Sequence, residues 1–147
     1  MKNTLTLKNF FLFLFFSIAA ASCKKGGSDN GTTVKPSTLT GVTWTSNKVE
    51  FQKADGSWEA QTDGDFHFAF VFNSDNTFSV TQTYFNGGKG TKTGTWHLIN
   101  NDTQVTLSGN SYADTYTVTQ LTSSTLQWTA IPSSFFGKSG VRETFSH

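Results

Sequence analysis

The chain has 147 residues, with 11 basic side chains, 10 acidic side chains and a single cysteine. A length in this range fits one domain with a sizeable core, and a net charge of +1 leaves no basic footprint for nucleic acid. One cysteine also excludes an intrachain disulfide, so packing alone must hold the fold.

The first 22 residues have the composition of an export signal. A lysine-containing start precedes the apolar run at 10–16, and small residues lead directly to Cys23. The apolar run is too short to cross about 30 Å of hydrocarbon, which needs about 20 residues. This order resembles the lipobox of bacterial lipoproteins, although Ala20 stands where leucine is usual. The resemblance implies that residues 1–22 are removed and that the Cys23 thiol receives a diacylglycerol. The alternative is an ordinary signal peptide with an incidental cysteine.

Residues 23–38 show no apolar periodicity and are rich in glycine, serine, threonine and lysine. Such a composition is typical of a flexible linker. The sequence therefore predicts a lipidated tether over 23–38 and a folded domain over 39–147.

From residue 39 onward, aromatic, branched and threonine residues alternate with polar ones, and turn signals recur regularly. This pattern predicts short strands of an all-β domain. Eight strands are expected, at 42–51, 65–73, 77–85, 91–99, 103–108, 114–121, 125–131 and 140–146. Because an open sheet would leave two unpaired edges, we expect an eight-stranded antiparallel up-and-down barrel. The alternative is a two-sheet sandwich.

Four segments carry a resemblance to a known domain. They are LTGVTW at 39–44, FAFVFNSDNTFSV at 68–80, GTWHLINNDTQVTLSG at 94–109 and YTVTQLTSSTLQW at 116–128. In this order they resemble the lipocalin-like domain of small bacterial lipoproteins. The matching features are structural, so the resemblance implies an up-and-down barrel and leaves the ligand open.

Alternate links of such a barrel lie at opposite ends. The links NSDN, NND and TSS are tight turns at one end, whereas the longer links 52–64, 86–90, 109–113 and 132–139 share the other end with its open mouth. The tether joins the tight-turn end. Aromatic residues in or beside the longer links form the candidate rim for a ligand or partner: Trp58, Tyr112, Phe135 and Phe136. The alternative is that these side chains fold inward and fill the barrel.

The barrel interior is predicted from the alternation of the first two strands. Its expected residues are Trp44, Phe66, Phe68, Phe70 and Phe72. Because four phenylalanines on one face indicate a core, any ligand is expected to be small and apolar.

No catalytic constellation is visible. The three histidines, His67, His97 and His147, form no metal-ligand spacing, and a lipidated Cys23 is no nucleophile. We therefore expect no enzyme, no metal and no cofactor.

Two functional classes remain. One is a lipoprotein held to a bacterial envelope membrane, with the outer membrane favoured by the resemblance, whose barrel mouth binds a small apolar molecule. The other is an interaction or structural lipoprotein whose filled barrel docks another envelope component through its rim.

Overall fold

The computed structural model describes residues 31–61, 67–84, 86–109, 112–130 and 140–147. The elements are α1 (Pro36–Leu39), β1 (Thr43–Gln52), β2 (Trp58–Ala60), β3 (His67–Phe72), β4 (Thr77–Thr83), β5 (Lys89–Ile99), β6 (Gln104–Gly109), β7 (Tyr112–Leu121), β8 (Thr125–Ala130) and β9 (Val141–Ser146). The predicted signal segment, Cys23 and the first part of the tether lie outside the described residues.

The strands form one closed antiparallel sheet. From β3 to β9 each strand pairs with the next one in the chain, and β1 pairs with β3 on one side. On its other side β1 pairs with β9 between Thr45 and Phe51, which closes the ring. The predicted all-β, eight-stranded antiparallel barrel is therefore confirmed, and the two-sheet alternative is wrong.

A ninth strand, β2, adds no position to the ring. It pairs with the end of β1, Glu50–Gln52, whereas β3 pairs with the beginning of β1, Thr43–Thr45. The two short pairings thus share one edge of β1. The sequence predicts a loop over 52–64, and within this range the structure forms a hairpin between β1 and β2. There the Asp55 carboxylate accepts hydrogen bonds from the backbone and hydroxyl of Ser57, which closes a hairpin.

Side chains along each strand point alternately into and out of the barrel, and the inward-facing ones include many aromatic rings. Phe70 makes edge-to-face contacts with Trp128 and Phe145, at centroid distances of 5.2 and 5.6 Å. Phe72 does the same with Trp96 at 5.8 Å. Such edge-on pairs add to the free energy gained from burying apolar area.

The tight turns gather at one end, here called the closed end. Asn76 follows β3 with a positive φ of 65°, and Asn100, Asn101 and Asp102 follow β5 with φ between 51° and 61°. Asparagine and aspartate tolerate this left-handed conformation better than other side chains do. The polar residues NSDN and NND are therefore what these reversals require.

Residues 31–42, here called the N-terminal strap, cross the closed end. Within the strap Val34 and Leu39 are buried in the same core as the barrel residues. Residues 31–38 were assigned to a flexible tether, and the structure instead packs them against the barrel. The linker-like composition of 23–38 gave no sign that Val34 faces the core, whereas Leu39 already belongs to the predicted folded domain.

Candidate functional site

The end opposite the closed end, here called the open end, receives polar side chains on the inner face of the barrel. Paired residues on antiparallel strands lie on the same face of a sheet. A residue paired with a buried core residue therefore also faces the inside of the barrel. Lys92 pairs with buried Val80, Asp114 with buried Leu107, and Glu143 with buried Trp128. The same rule places Gln82 opposite Phe68.

Glu143 is the most perturbed of these groups. One of its carboxylate oxygens accepts a hydrogen bond from the indole Nε1 of Trp128 at 2.7 Å. Burial raises the pKa of Glu143 to about 6, and the negative charge of Asp114 adds to the rise while the indole hydrogen bond opposes it. Burial inside the mouth and the nearby Asp114 charge thus both favour the neutral form of the Glu143 carboxyl group.

Below these carboxyl groups lies an aromatic floor, formed by Phe70, Tyr116, Trp128 and Phe145. Tyr116 stacks on Trp128 at a centroid distance of 4.4 Å, and Trp128 contacts Phe145 at 4.9 Å. Trp128 and Phe145 are fully buried. The interior thus changes from polar near the open end to closely packed aromatic rings halfway down.

An exposed aromatic ring stands at the open end directly after β4. Tyr84 is 47% exposed, and its hydroxyl oxygen lies over Gly90, 2.8 Å from where a Cβ would stand. The backbone N–H of Tyr84 donates to the carbonyl of Gly88 at 2.8 Å, which fixes this hairpin end. The sequence predicts Tyr84 inside the strand at 77–85 and not among the rim residues. Its position at the end of an alternating run was the available signal.

Trp58, predicted at the rim, lies on the outer wall of the barrel. The guanidinium carbon of Arg142 stands 4.6 Å from the centroid of its ring, a cation–π contact. Arg142 also donates from Nε to the carboxylate of Glu50 at 2.7 Å, and Lys48 lies 2.9 Å from the same carboxylate. The hydrogen bond from Arg142 lowers the pKa of Glu50 to about 2. Trp58 therefore covers a buried ion pair.

The other predicted rim residues fall largely beyond what the structure describes. Phe135 and Phe136 lie outside the described residues, and for Tyr112 only the backbone at the start of β7 is described. For Tyr112, Phe135 and Phe136 the position at the rim stays a prediction.

The structure places most of the predicted interior residues inside the barrel. Trp44, Phe70 and Phe72 are buried, and Phe68 is partly buried against the core. Phe66 lies outside the described residues. The alternating apolar residues of the first two long strands thus predict the packed part of the barrel interior. They do not predict its polar part. Asp114 and Glu143 were missed, although each alternates with a buried aromatic residue of its own strand.

The histidines do not converge. His67 and His97 are exposed on different strands, and His147 contacts the buried ring of Trp44 edge-on at 4.9 Å. His147 also hydrogen-bonds the carbonyl of Ser123. Within the described ranges no group of three or more potential metal ligands forms. Across the same ranges, no helix has the length and apolar character needed to cross a bilayer.

An open depression of about 500 Å³ lies on the outside of the closed end. It is lined by Pro36, Ser37, Thr40, Ser74, Asn76, Trp96, His97 and Leu98. It lies at the far end of the barrel from the inward-facing carboxyl groups, so it is separate from the mouth.

Comparison with known proteins agrees with this architecture. The crystal structure of a lipocalin-like protein from Bacteroides uniformis matches with a TM-score of 0.51 and 20% sequence identity, over 74% of this chain and 97% of that chain. No protein-family model and no curated protein matches the chain. Identity this low shows the fold alone. The closed ring of eight strands and this likeness together establish a lipocalin-like barrel.

Proposed function

We propose that this protein is a non-enzymatic, membrane-anchored lipoprotein whose barrel binds a small, largely apolar molecule at its open end. The observation that carries the binding part is the change of character inside the barrel. Buried charges are costly in a filled core, so inward-facing Asp114 and Glu143 mark a part of the lumen that admits water or a ligand. An eight-stranded barrel is wide enough for one small ligand.

The arrangement also suggests how such a ligand lies. Its apolar body would rest against the aromatic floor, in which Tyr116 and Trp128 stack on each other. Its polar end would remain near the carboxyl groups, and Tyr84 would cover it at the mouth. Ligand sites of this kind combine apolar walls with a few placed polar groups.

The anchoring part of the proposal rests on the sequence. The signal-like residues 1–22 lead to Cys23, and a diacylglycerol on that thiol would hold the protein at the extracytoplasmic face of a bacterial membrane. The outer membrane is the favoured location. Release of a Cys23→Ser variant from the membrane fraction tests this part, and a variant that stays bound would refute it.

Native mass spectrometry of protein purified from its own host tests the binding part. We expect a bound species of small-molecule mass on the wild type, reduced in Trp128→Ala and in Tyr84→Ala. Thr81→Ala, on the outer face of β4, serves as the matched control and should keep the bound mass. An empty wild-type spectrum, together with no uptake of an added apolar fluorophore, would refute ligand carriage.

A docking lipoprotein is the second candidate. The observation that favours it is the pairing of half-buried Trp58 with Arg142 on the outer wall near the open end, because tryptophan and arginine are common anchors at interfaces. A barrel that binds no small molecule but captures an envelope component, and loses it in Trp58→Ala, would support this candidate.

A further inference from the structure

The N-terminal strap is fastened where it reaches β7. The backbone N–H of Thr32 donates to the carbonyl of Val118 at 2.6 Å, and its hydroxyl donates to the carbonyl of Thr119 at 2.8 Å. The N–H of Val34 donates to the carbonyl of Asp102 at 2.7 Å. These bonds join the strap to a strand and to a tight turn of the closed end.

The strap is fastened again where it enters β1. Leu39 is fully buried, and its carbonyl accepts a hydrogen bond from the indole Nε1 of Trp44 at 2.9 Å. The N–H of Gly41 donates to the carbonyl of Phe72 at 3.2 Å. Since β7 and β1 are separated by β8 and β9, the strap runs across the closed end and does not follow one wall.

The first described residue of the strap lies directly on the barrel. A Cβ at Gly31 would stand 2.5 Å from the Cβ of Thr103, so only glycine allows this approach. The chain is therefore in contact with the closed end from residue 31 onward. The segment between Cys23 and Gly31, residues 24–30, is here called the leash.

The length of the leash limits where the barrel can stand. Eight peptide steps from Cys23 to Gly31 span at most about 28 Å when extended, and about 15 Å as a flexible coil. Strand β5 has 11 residues and carries the mouth about 25 Å farther along a tilted barrel. A flexible tether over 23–38 would have allowed far more freedom to turn.

We propose that the closed end of the barrel faces, on average, the lipid surface that holds Cys23, and that the mouth faces away from it, because a leash of about 15 Å is shorter than the distance of about 25 Å to the mouth. This orientation rests on the lipidation in the proposed function. Asp75 and Asp102 lie in the tight turns of the closed end and Lys35 lies in the strap, so the charges there are mixed, and chain length, not charge attraction, sets the orientation. As a consequence, the ligand enters from the aqueous side or from an opposing surface and not from the leaflet that anchors the protein.

Distance measurements on the acylated full-length protein test the orientation. The protein is inserted into phosphatidylethanolamine–phosphatidylglycerol vesicles that contain a fluorescent acceptor lipid, and a donor is attached to Ser74→Cys or to Lys89→Cys. Acylated Cys23 takes no label. We expect the label at Ser74→Cys to lie within the leash length of the surface and the label at Lys89→Cys about 25 Å farther away. Equal average distances would overturn the proposal.

Two further variants test separately whether the length of the leash and the packing of the strap set the orientation. A Gly/Ser insertion after residue 30, twice as long as the leash, should abolish the difference between the two labels. Val34→Asp, which expels a buried residue of the strap, should reduce it while the near-ultraviolet circular dichroism of the barrel persists. A difference that survives the long insertion would contradict the role of the leash. If Cys23→Ser protein binds the vesicles equally well, the lipidation itself fails, whereas equal label distances on Cys23-dependent protein refute the orientation alone.

Discussion

Replacing Glu143 with glutamine should stabilise the protein at neutral pH. Glutamine keeps an oxygen that can accept the 2.7 Å hydrogen bond from Trp128, and it cannot ionise. The folded state raises the pKa of Glu143 from 4.5 to about 6. A rise of about 1.5 units corresponds to about 2 kcal/mol of preference for the neutral form. At neutral pH the wild type must bear this cost of holding a carboxylate in the barrel.

The sign of the pH dependence follows from linkage. Because the folded protein binds this proton more tightly than the unfolded chain does, ionisation of Glu143 lowers the free energy of unfolding. The penalty is absent below about pH 4.5, grows between pH 4.5 and 6, and is complete above that range. Glu143→Gln should therefore equal the wild type near pH 4 and exceed it by up to about 2 kcal/mol at pH 7.5.

Urea denaturation followed by tryptophan fluorescence measures this difference, with the Cys23→Ser background used for both proteins. Glu59→Gln is the matched control, since its side chain is 66% exposed in an ion pair with Lys53. Its effect should stay within about 0.5 kcal/mol at every pH. A Glu143→Gln protein that is less stable than the wild type at pH 7.5, or a difference that does not vary with pH, would refute the reasoning.

Three further predictions concern the wall and the closed end. Arg142→Met removes one of the two cationic partners of Glu50, whose side chain is 7% exposed, and should cost about 3 kcal/mol in urea unfolding at pH 7. This loss shrinks as pH falls from 4.5 toward 2, because Glu50 then protonates. Lys48→Met, which removes a 52% exposed lysine, should cost less than about 1 kcal/mol. Gly94→Ala would place a Cβ 2.0 Å from the carbonyl oxygen of Ser108 and should lower the melting temperature. Gly90→Ala meets only the exposed side chain of Tyr84, which can move, and should lower it less. Equal effects would contradict the close approach of β5 and β6. Leu39→Ala should cost about 2–5 kcal/mol in the same unfolding assay, and a loss near zero would show that the strap does not contribute to the core.

The sequence predicted the ring because its local signals agree with one another. Alternating apolar residues, asparagine-rich reversals and regular strand lengths all favour short antiparallel strands. The predicted strand limits differ from the observed ones by a few residues at most, as at 114–121 against Tyr112–Leu121. What escaped prediction is held by tertiary contacts: β2 depends on pairing with β1, and the strap depends on burying Val34 and Leu39.

The candidate site was harder to predict than the fold. Phe70 and Phe72 pointed to the inside of the barrel, because phenylalanine on alternate positions indicates a core. Glu143 follows the same alternation, two residues before buried Phe145, but a carboxyl group on a core face contradicts the simple pattern. Its position became interpretable only when the register placed it beside Trp128 and near Asp114.

The carboxylates of Glu50 on β1 and Glu143 on β9 differ in a way that bears on the proposed function. Glu50 on the outer wall has Arg142 and Lys48 as partners, and its pKa falls to about 2, so its charge is stabilised where it lies. Glu143 inside the mouth has an indole N–H as its partner and a second acid nearby, and its pKa rises to about 6. The same barrel thus compensates one charge in its wall and holds another at a cost of about 2 kcal/mol. An energetic cost retained at one place in an otherwise consistent structure commonly marks a functional site, and this cost lies at the mouth of the barrel, where we propose that the ligand binds.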